Sequence, residues 1–147
     1  MANRLLASAS ALALGCYCAP AMADPLTVSS AQTTPVRTSA AANGTSGDIT
    51  ITSAGSIAPT AAGAAVTIDS ANSVTNQGSI TFSGVDNATG IVANAGVTGN
   101  ITNAGTITVN ETYVRTDTNS DGVPDGPYAQ GTNRFGIRTL GVLNGNV

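Results

Sequence analysis

The sequence predicts an all-β fold, a right-handed parallel β-helix (solenoid) that follows a signal peptide and a flexible leader. Two observations carry the expectation. From Ile51 onward a short unit recurs, reading aliphatic, Thr, Asn or Ser, any residue, Gly, Ser or Thr, Ile. The aliphatic residues beyond residue 23 are mostly Ile and Val, Thr is abundant and only 9% of the chain is charged, which is a strand composition.

Residues 1–23 read as a secretory signal peptide. Arg4 supplies the positive start, and residues 5–14 form an uncharged Leu/Ala/Ser run shorter than the roughly 20 residues of a spanning helix. Ala21-Met22-Ala23 offers small residues where the peptidase reads, so cleavage is expected between Ala23 and Asp24. Ala13-Leu14-Gly15-Cys16 also resembles a bacterial lipobox with its Leu displaced by one position, which would make Cys16 a lipidated N-terminus. Cys16 and Cys18 are the two cysteines of the chain, so cleavage after Ala23 leaves a domain with no disulfide.

Residues 24–48 mix Ser, Thr, Ala, Pro and Gly with little periodicity and are expected to be a flexible leader or an irregular cap. Residues 49–147 carry the repeats. Ile51-Thr52-Ser53-Ala54-Gly55-Ser56-Ile57, Val74-Thr75-Asn76-Gln77-Gly78-Ser79-Ile80 and Ile101-Thr102-Asn103-Ala104-Gly105-Thr106-Ile107 align at offsets of 23 and 27 residues. A second series, Gly63 to Ile68 and then Gly90 onward, aligns at 27, and Gly136-Ile137 restarts it 46 residues after Gly90. Each unit reads as a short strand, a bend and another strand. Alternation puts Ile, Val and Phe inward and Thr or Ser outward, and Gly with Asn is expected to supply positive φ at the corner. One such unit cannot bury its apolar face alone, whereas stacked units share a continuous core. A Ser/Thr-rich β-sandwich is the alternative, and the near-constant Asn-x-Gly-x-Ile spacing favours the solenoid. Gly145-Asn146-Val147 repeats Gly99-Asn100-Ile101 at the same offset of 46, so the sequence is expected to be the front of a longer repeat protein.

Composition excludes several function classes. With no His, no Trp and all five basic residues Arg, no imidazole relay or imidazole metal site can be built. A net charge of −3 argues against nucleic acid as a partner. The expected protein is therefore not an enzyme.

The signal peptide, the Ser/Thr/Ala/Gly-rich leader and the repeats Thr75-Asn76-Gln77-Gly78-Ser79-Ile80 and Thr102-Asn103-Ala104-Gly105-Thr106-Ile107 resemble the N-terminal part of an autotransporter passenger of type V secretion. Residues 126–138 are similar to inserts in passengers from alphaproteobacteria. The resemblance covers most of the chain beyond residue 23 but is one of repeat style. It implies an exported β-helix at the cell surface or outer membrane, or released outside the cell, with a structural or adhesive role. The implied partners are an outer-membrane β-barrel translocator, which this sequence does not contain, and a host or matrix surface ligand.

The Asp-rich insertion at residues 111–134 holds the one constellation with metal chemistry. Asp117, Asn119, Asp121 and Asp125 stand at positions 1, 3, 5 and 9 of a loop with Gly122 at position 6 and the Val123 carbonyl at position 7. Calcium takes six to eight hard oxygens from such alternating residues. The spacing resembles the calcium loops of dockerin and thrombospondin type-3 repeats, although Tyr128 replaces the bidentate Glu that would complete an EF-hand. The expected cofactor is calcium, in a role that stiffens the loop. Without metal the same residues make solvated turns. Two other readings stand beside the adhesive one: a secreted polysaccharide-active β-helix enzyme and a lipid-anchored binding module.

Overall fold

A computed structural model describes residues 24–147, so the signal-peptide reading, with Ala21 and Ala23, and the Cys16 lipid reading lie outside the described residues, while Asp24 is exposed. The chain winds as a parallel β-solenoid of four stacked rungs, in keeping with a right-handed parallel β-helix. Its strands are β1 (Leu26–Val28), β2 (Ala31–Gln32), β3 (Val36–Arg37), β4 (Ile49–Ile51), β5 (Ser56–Ile57), β6 (Gly63–Ile68), β7 (Val74–Asn76), β8 (Ser79–Ser83), β9 (Ala88–Ala93), β10 (Ile101–Asn103), β11 (Thr106–Asn110) and β12 (Phe135–Thr139). Every third strand stacks in the same sheet, giving orders β1-β4-β7-β10, β2-β5-β8-β11 and β3-β6-β9-β12. All these pairs are parallel. Each rung therefore has three strands, and each sheet has four.

Residues 24–48, expected as a flexible leader or an irregular cap, carry β1, β2 and β3 and form the first rung. Leu26 registers with Ile49, and Val36 with Val66. Their Pro, Ser and Thr content masks this role because two of the strands are only two residues long. A single 3-10 turn, Thr38–Ala40, follows β3.

The core is a set of vertical columns. Leu26, Ile49, Val74 and Ile101 occupy one, Ile57, Ile80 and Ile107 another, and Val66, Ile91 and Ile137 a third. Ile51, Ile57, Val66, Ile80, Phe82 and Ile91 are completely buried. Each such side chain contributes about 1.5–3 kcal/mol by leaving water, and the parallel ladder satisfies the backbone between rungs.

Two expectations from the repeats need correction. Ile49, not Ile51, pairs with Val74, and Gly63 pairs with Ala88 rather than Gly90, so both offsets are 25. The offset is 23 only at the next strand, where Ile57 pairs with Ile80. Motif alignment imposes one offset along the whole unit, whereas the ladder fixes register strand by strand and lets corner length vary.

The repeat glycines are also there for another reason. Gly55, Gly78 and Gly105 do not have positive φ. A Cβ on Gly78 would land on the carbonyl oxygens of Gly55 and Thr52, and one on Gly105 would land on that of Gly78. The residue is glycine because the rung below passes too close for any side chain. Asn76 likewise stays extended and points inward, fully buried in the column of Val28 and Ile51. Its Nδ2 donates to Asn103 Oδ1 at 2.7 Å and its Oδ1 accepts from the Gly78 N–H at 3.2 Å, which repays its desolvation. Positive φ falls instead at other glycines, among them Gly63, Gly84, Gly96 and Gly99, and at Asn43, Asn87, Ser120 and Asn133.

Candidate functional site

The offset between β8 and β11 is 27 residues and between β9 and β12 it is 46, so the corner from β11 to β12 carries 19 extra residues. The corner comprises residues 111–134, between the end of β11 and the start of β12. Its base meets the shorter β8–β9 corner of the rung below and encloses a polar cleft of about 220 Å³. Asp86, Glu111, Thr112, Tyr113, Gln130 and Arg134 line it.

Arg134 organises the cleft. Its side chain is only 15% exposed, and it lies just before β12, whose ladder fixes its backbone. The guanidinium reaches Asp86 Oδ1 at 2.9 Å and Glu111 Oε2 at 3.8 Å, while Nε donates to the Val85 carbonyl at 3.0 Å. The other oxygen of Glu111 accepts from the backbone N–H groups of Gln130 and Gly131. Asp86 Oδ1 also accepts from the Thr132 N–H at 2.9 Å. Two left-handed asparagines continue the contact, Asn133 Nδ2 donating to Asn87 Oδ1 at 2.9 Å. These bonds clip both ends of the insertion to the solenoid. Sequence analysis singled out neither Asp86 nor Arg134. The 46-residue offset could have found them, since it places Asp86 beside Thr132.

Arg134→Ala should remove a half-buried, charge-assisted network and cost about 1–2 kcal/mol. Limited proteolysis should then cut within residues 111–134 faster while β12 stays intact. Equal cutting rates for the two proteins would mean that the network does not hold the insertion.

The Asp-rich loop is built, but it bonds to itself. Asp117 accepts from the N–H groups of Ser120 at 2.7 Å, Asp121 at 3.3 Å and Gly122 at 2.8 Å. Asp121 accepts from the Val123 N–H and from Asn119 Nδ2, and Asn119 Oδ1 takes the Asp121 N–H. Asp125 accepts from the backbone and hydroxyl of Thr118. Among the described residues no three acidic side chains converge as a cation cage would require. The carboxylates expected at positions 1, 5 and 9 point at separate donors. Arg115 donates to the Pro124 carbonyl and stacks 4.2 Å from the centre of the Tyr128 ring. Val114, Val123 and Tyr128 remain exposed, the last at 90%.

A second acid, Asp69 after β6, holds the 3-10 turn. Its carboxylate accepts from the Ser39 N–H and Oγ, both at 2.8 Å, and from Thr38 Oγ at 3.2 Å, with Arg37 at 3.7 Å. Partial burial pushes its pKa up, but the Ser39 and Thr38 hydrogen bonds and the Arg37 charge together hold it below the usual 3.8. Asp117, through the Gly122 N–H first, and Asp125, through the Thr118 hydroxyl first, are also held low. Because all three bind a proton less readily folded than unfolded, their contribution is complete above 3.8 and disappears as pH falls through the lower folded values. The melting temperature should therefore drop between about pH 4 and pH 2. Asp69→Asn should flatten part of that slope; an unchanged slope would remove Asp69 from the account.

One family matches the chain, over residues 24–141, and is described as the BigA third pectate lyase-like domain. No curated protein and no solved structure matches.

Proposed function

Because the chain belongs to the BigA third pectate lyase-like domain family, we propose that it works at a bacterial surface as an exported β-helical scaffold with a structural or adhesive role and no catalytic turnover. The observation that carries this reading is the state of the cleft. Arg134 is spent on Asp86, Glu111 and the Val85 carbonyl, and both oxygens of Glu111 are engaged. Cleavage of an acidic polysaccharide by elimination needs a base free to take a proton from carbon and a cation free to hold the carboxylate. Here those groups hold the insertion in place. What the scaffold displays is the insertion, with Val114, Val123 and Tyr128 turned to solvent.

Autotransporter-type export through an outer-membrane β-barrel, with a host or matrix ligand, belongs to the same reading. Its support is the resemblance in repeat style and the signal-like residues 1–23. Calcium in the insertion has the Asp-x-Asn-x-Asp-Gly spacing as support, but binding would require Asp117 to release three N–H donors. An affinity in the weak extracellular range of about 10⁻⁴ to 10⁻³ M follows. Calorimetric titration tests it: heat that is lost in Asp121→Ala upholds the site, and no heat at millimolar calcium removes it.

The family's description and the acid-lined cleft favour a second reading, a polysaccharide-active domain. Purified chain incubated with polygalacturonate, with and without calcium, decides between them through the ultraviolet absorbance of unsaturated products. The scaffold reading expects no product. Product formed by the native chain and abolished in Arg134→Ala and Glu111→Gln would replace it with the enzymatic one.

A further inference from the structure

The cleft at the base of the insertion holds free polar groups beside the engaged ones. Arg134, the N–H groups of Gln130 and Gly131 and Glu111 Oε1 all hold the insertion. No described residue donates to Asp86 Oδ2, and the Asp86 side chain is 48% exposed. Glu111 Oε2 lies 3.8 Å from the guanidinium, beyond hydrogen-bond reach, and has room for a closer donor. Thr112 and Gln130 are exposed, and among the described residues neither the Thr112 hydroxyl nor the Gln130 side-chain amide has a hydrogen-bond partner.

The backbone that carries these groups is fixed. β8 and β11 pair in register up to Ser83 and Asn110, immediately before Gly84 and Glu111. A Cβ on Gly84 would meet the Thr112 hydroxyl oxygen at 2.7 Å, so glycine leaves that side chain its place beside the β8–β9 corner. A Cβ on Gly131 would fall on the Arg134 guanidinium, which therefore packs directly against the Gly131 backbone. Glu111 accepts from Gln130 N and Gly131 N and so fixes the root of the Gln130 side chain. A site already ordered in this way loses little freedom when a ligand enters.

The free groups select a ligand by their chemistry. Carboxylate oxygens only accept hydrogen bonds, whereas the Thr112 and Tyr113 hydroxyls and the Gln130 amide both accept and donate. A polyol matches this set, because each of its hydroxyls can donate to a carboxylate while accepting from an amide or hydroxyl. A uronate does not match. Its carboxylate would lie beside Asp86 and Glu111, with the cleft's arginine already shared between those two acids. The volume of about 220 Å³ is below the roughly 300–1,000 Å³ of pockets for drug-sized ligands, which suits one sugar ring rather than a chain.

We propose that the cleft binds an uncharged pyranose sugar, held by Asp86, Glu111, Thr112 and Gln130 where the insertion meets the solenoid. This rests on the scaffold reading and names the ligand class of its adhesive surface, a sugar recognised without turnover.

The test follows the amide resonances of Thr112, Gly131 and Arg134 in the full chain as glucose, galactose, N-acetylglucosamine or galacturonate is added to tens of millimolar. The expected result is a saturable shift with at least one of the three uncharged sugars, at a Kd of about 1–10 mM, and none with galacturonate. Gln130→Ala or Thr112→Val, neither of which removes a bond of the Arg134 network, should weaken that binding about fivefold or more. Saturation by none of the uncharged sugars would overturn the proposal. So would galacturonate binding as tightly as they do, or an affinity unchanged in both variants. The scaffold reading falls on a different readout, unsaturated product from polygalacturonate, so the failure of one is distinguishable from the failure of the other.

Discussion

Replacing Phe82 by Ala is expected to cost about 3–5 kcal/mol, the range for deleting a large aromatic from a core that cannot collapse around the gap. Phe82 is fully buried in β8, beside Ile80 and beneath Val109. It is the largest fully buried side chain among the described residues. The rungs above and below are hydrogen-bonded in fixed register, so neighbouring side chains cannot move in to refill the space. A loss of that size is a large share of the 5–15 kcal/mol that a domain of this length commands. Urea unfolding checks it: the midpoint should fall while the slope stays constant. A loss under about 1 kcal/mol would show that Val109 or its neighbours relax into the cavity.

Gly78→Ala should be nearly as severe, at about 2–3 kcal/mol, for the opposite reason of overpacking. The new methyl would fall on the carbonyl oxygens of Gly55 and Thr52, which are backbone atoms held by the ladder and have nowhere to go. The rungs would have to part locally. Gly96→Ala provides the comparison: its φ is +77° and nothing lies within 4 Å, so its cost is conformational, about 1 kcal/mol. If Gly78→Ala proves no worse than Gly96→Ala, close approach between rungs is not why the repeat keeps glycine.

These two residues also show how far the sequence could be read. The alternation of Ile80 and Phe82, and of Ile107 and Val109, announced inward-facing strand positions, and the structure places them there. The presence of Gly78 and Gly105 in each repeat was equally legible, but its cause was not. A recurring glycine looks the same whether it supplies positive φ or yields to a neighbouring backbone, and only the position of the rung below separates the two. The site was legible in part for a similar reason. The loop acids Asp117, Asp121 and Asp125 are close in sequence, so their common loop was visible. Asp86 and Arg134, which clip the insertion to the solenoid, are 48 residues apart in sequence and meet only because the rungs stack.

By itself the sequence determined the fold class, the strand faces, the insertion and the absence of imidazole and thiol chemistry beyond residue 23. Those properties follow from composition and local period, which each segment carries within itself. The tertiary structure alone decided the register, the membership of residues 24–48 in the first rung, the steric demand for glycine and the partners of each carboxylate. Each of these depends on what the adjacent rung places opposite a residue, and corner lengths that vary from turn to turn hide that neighbour from any reading along the chain.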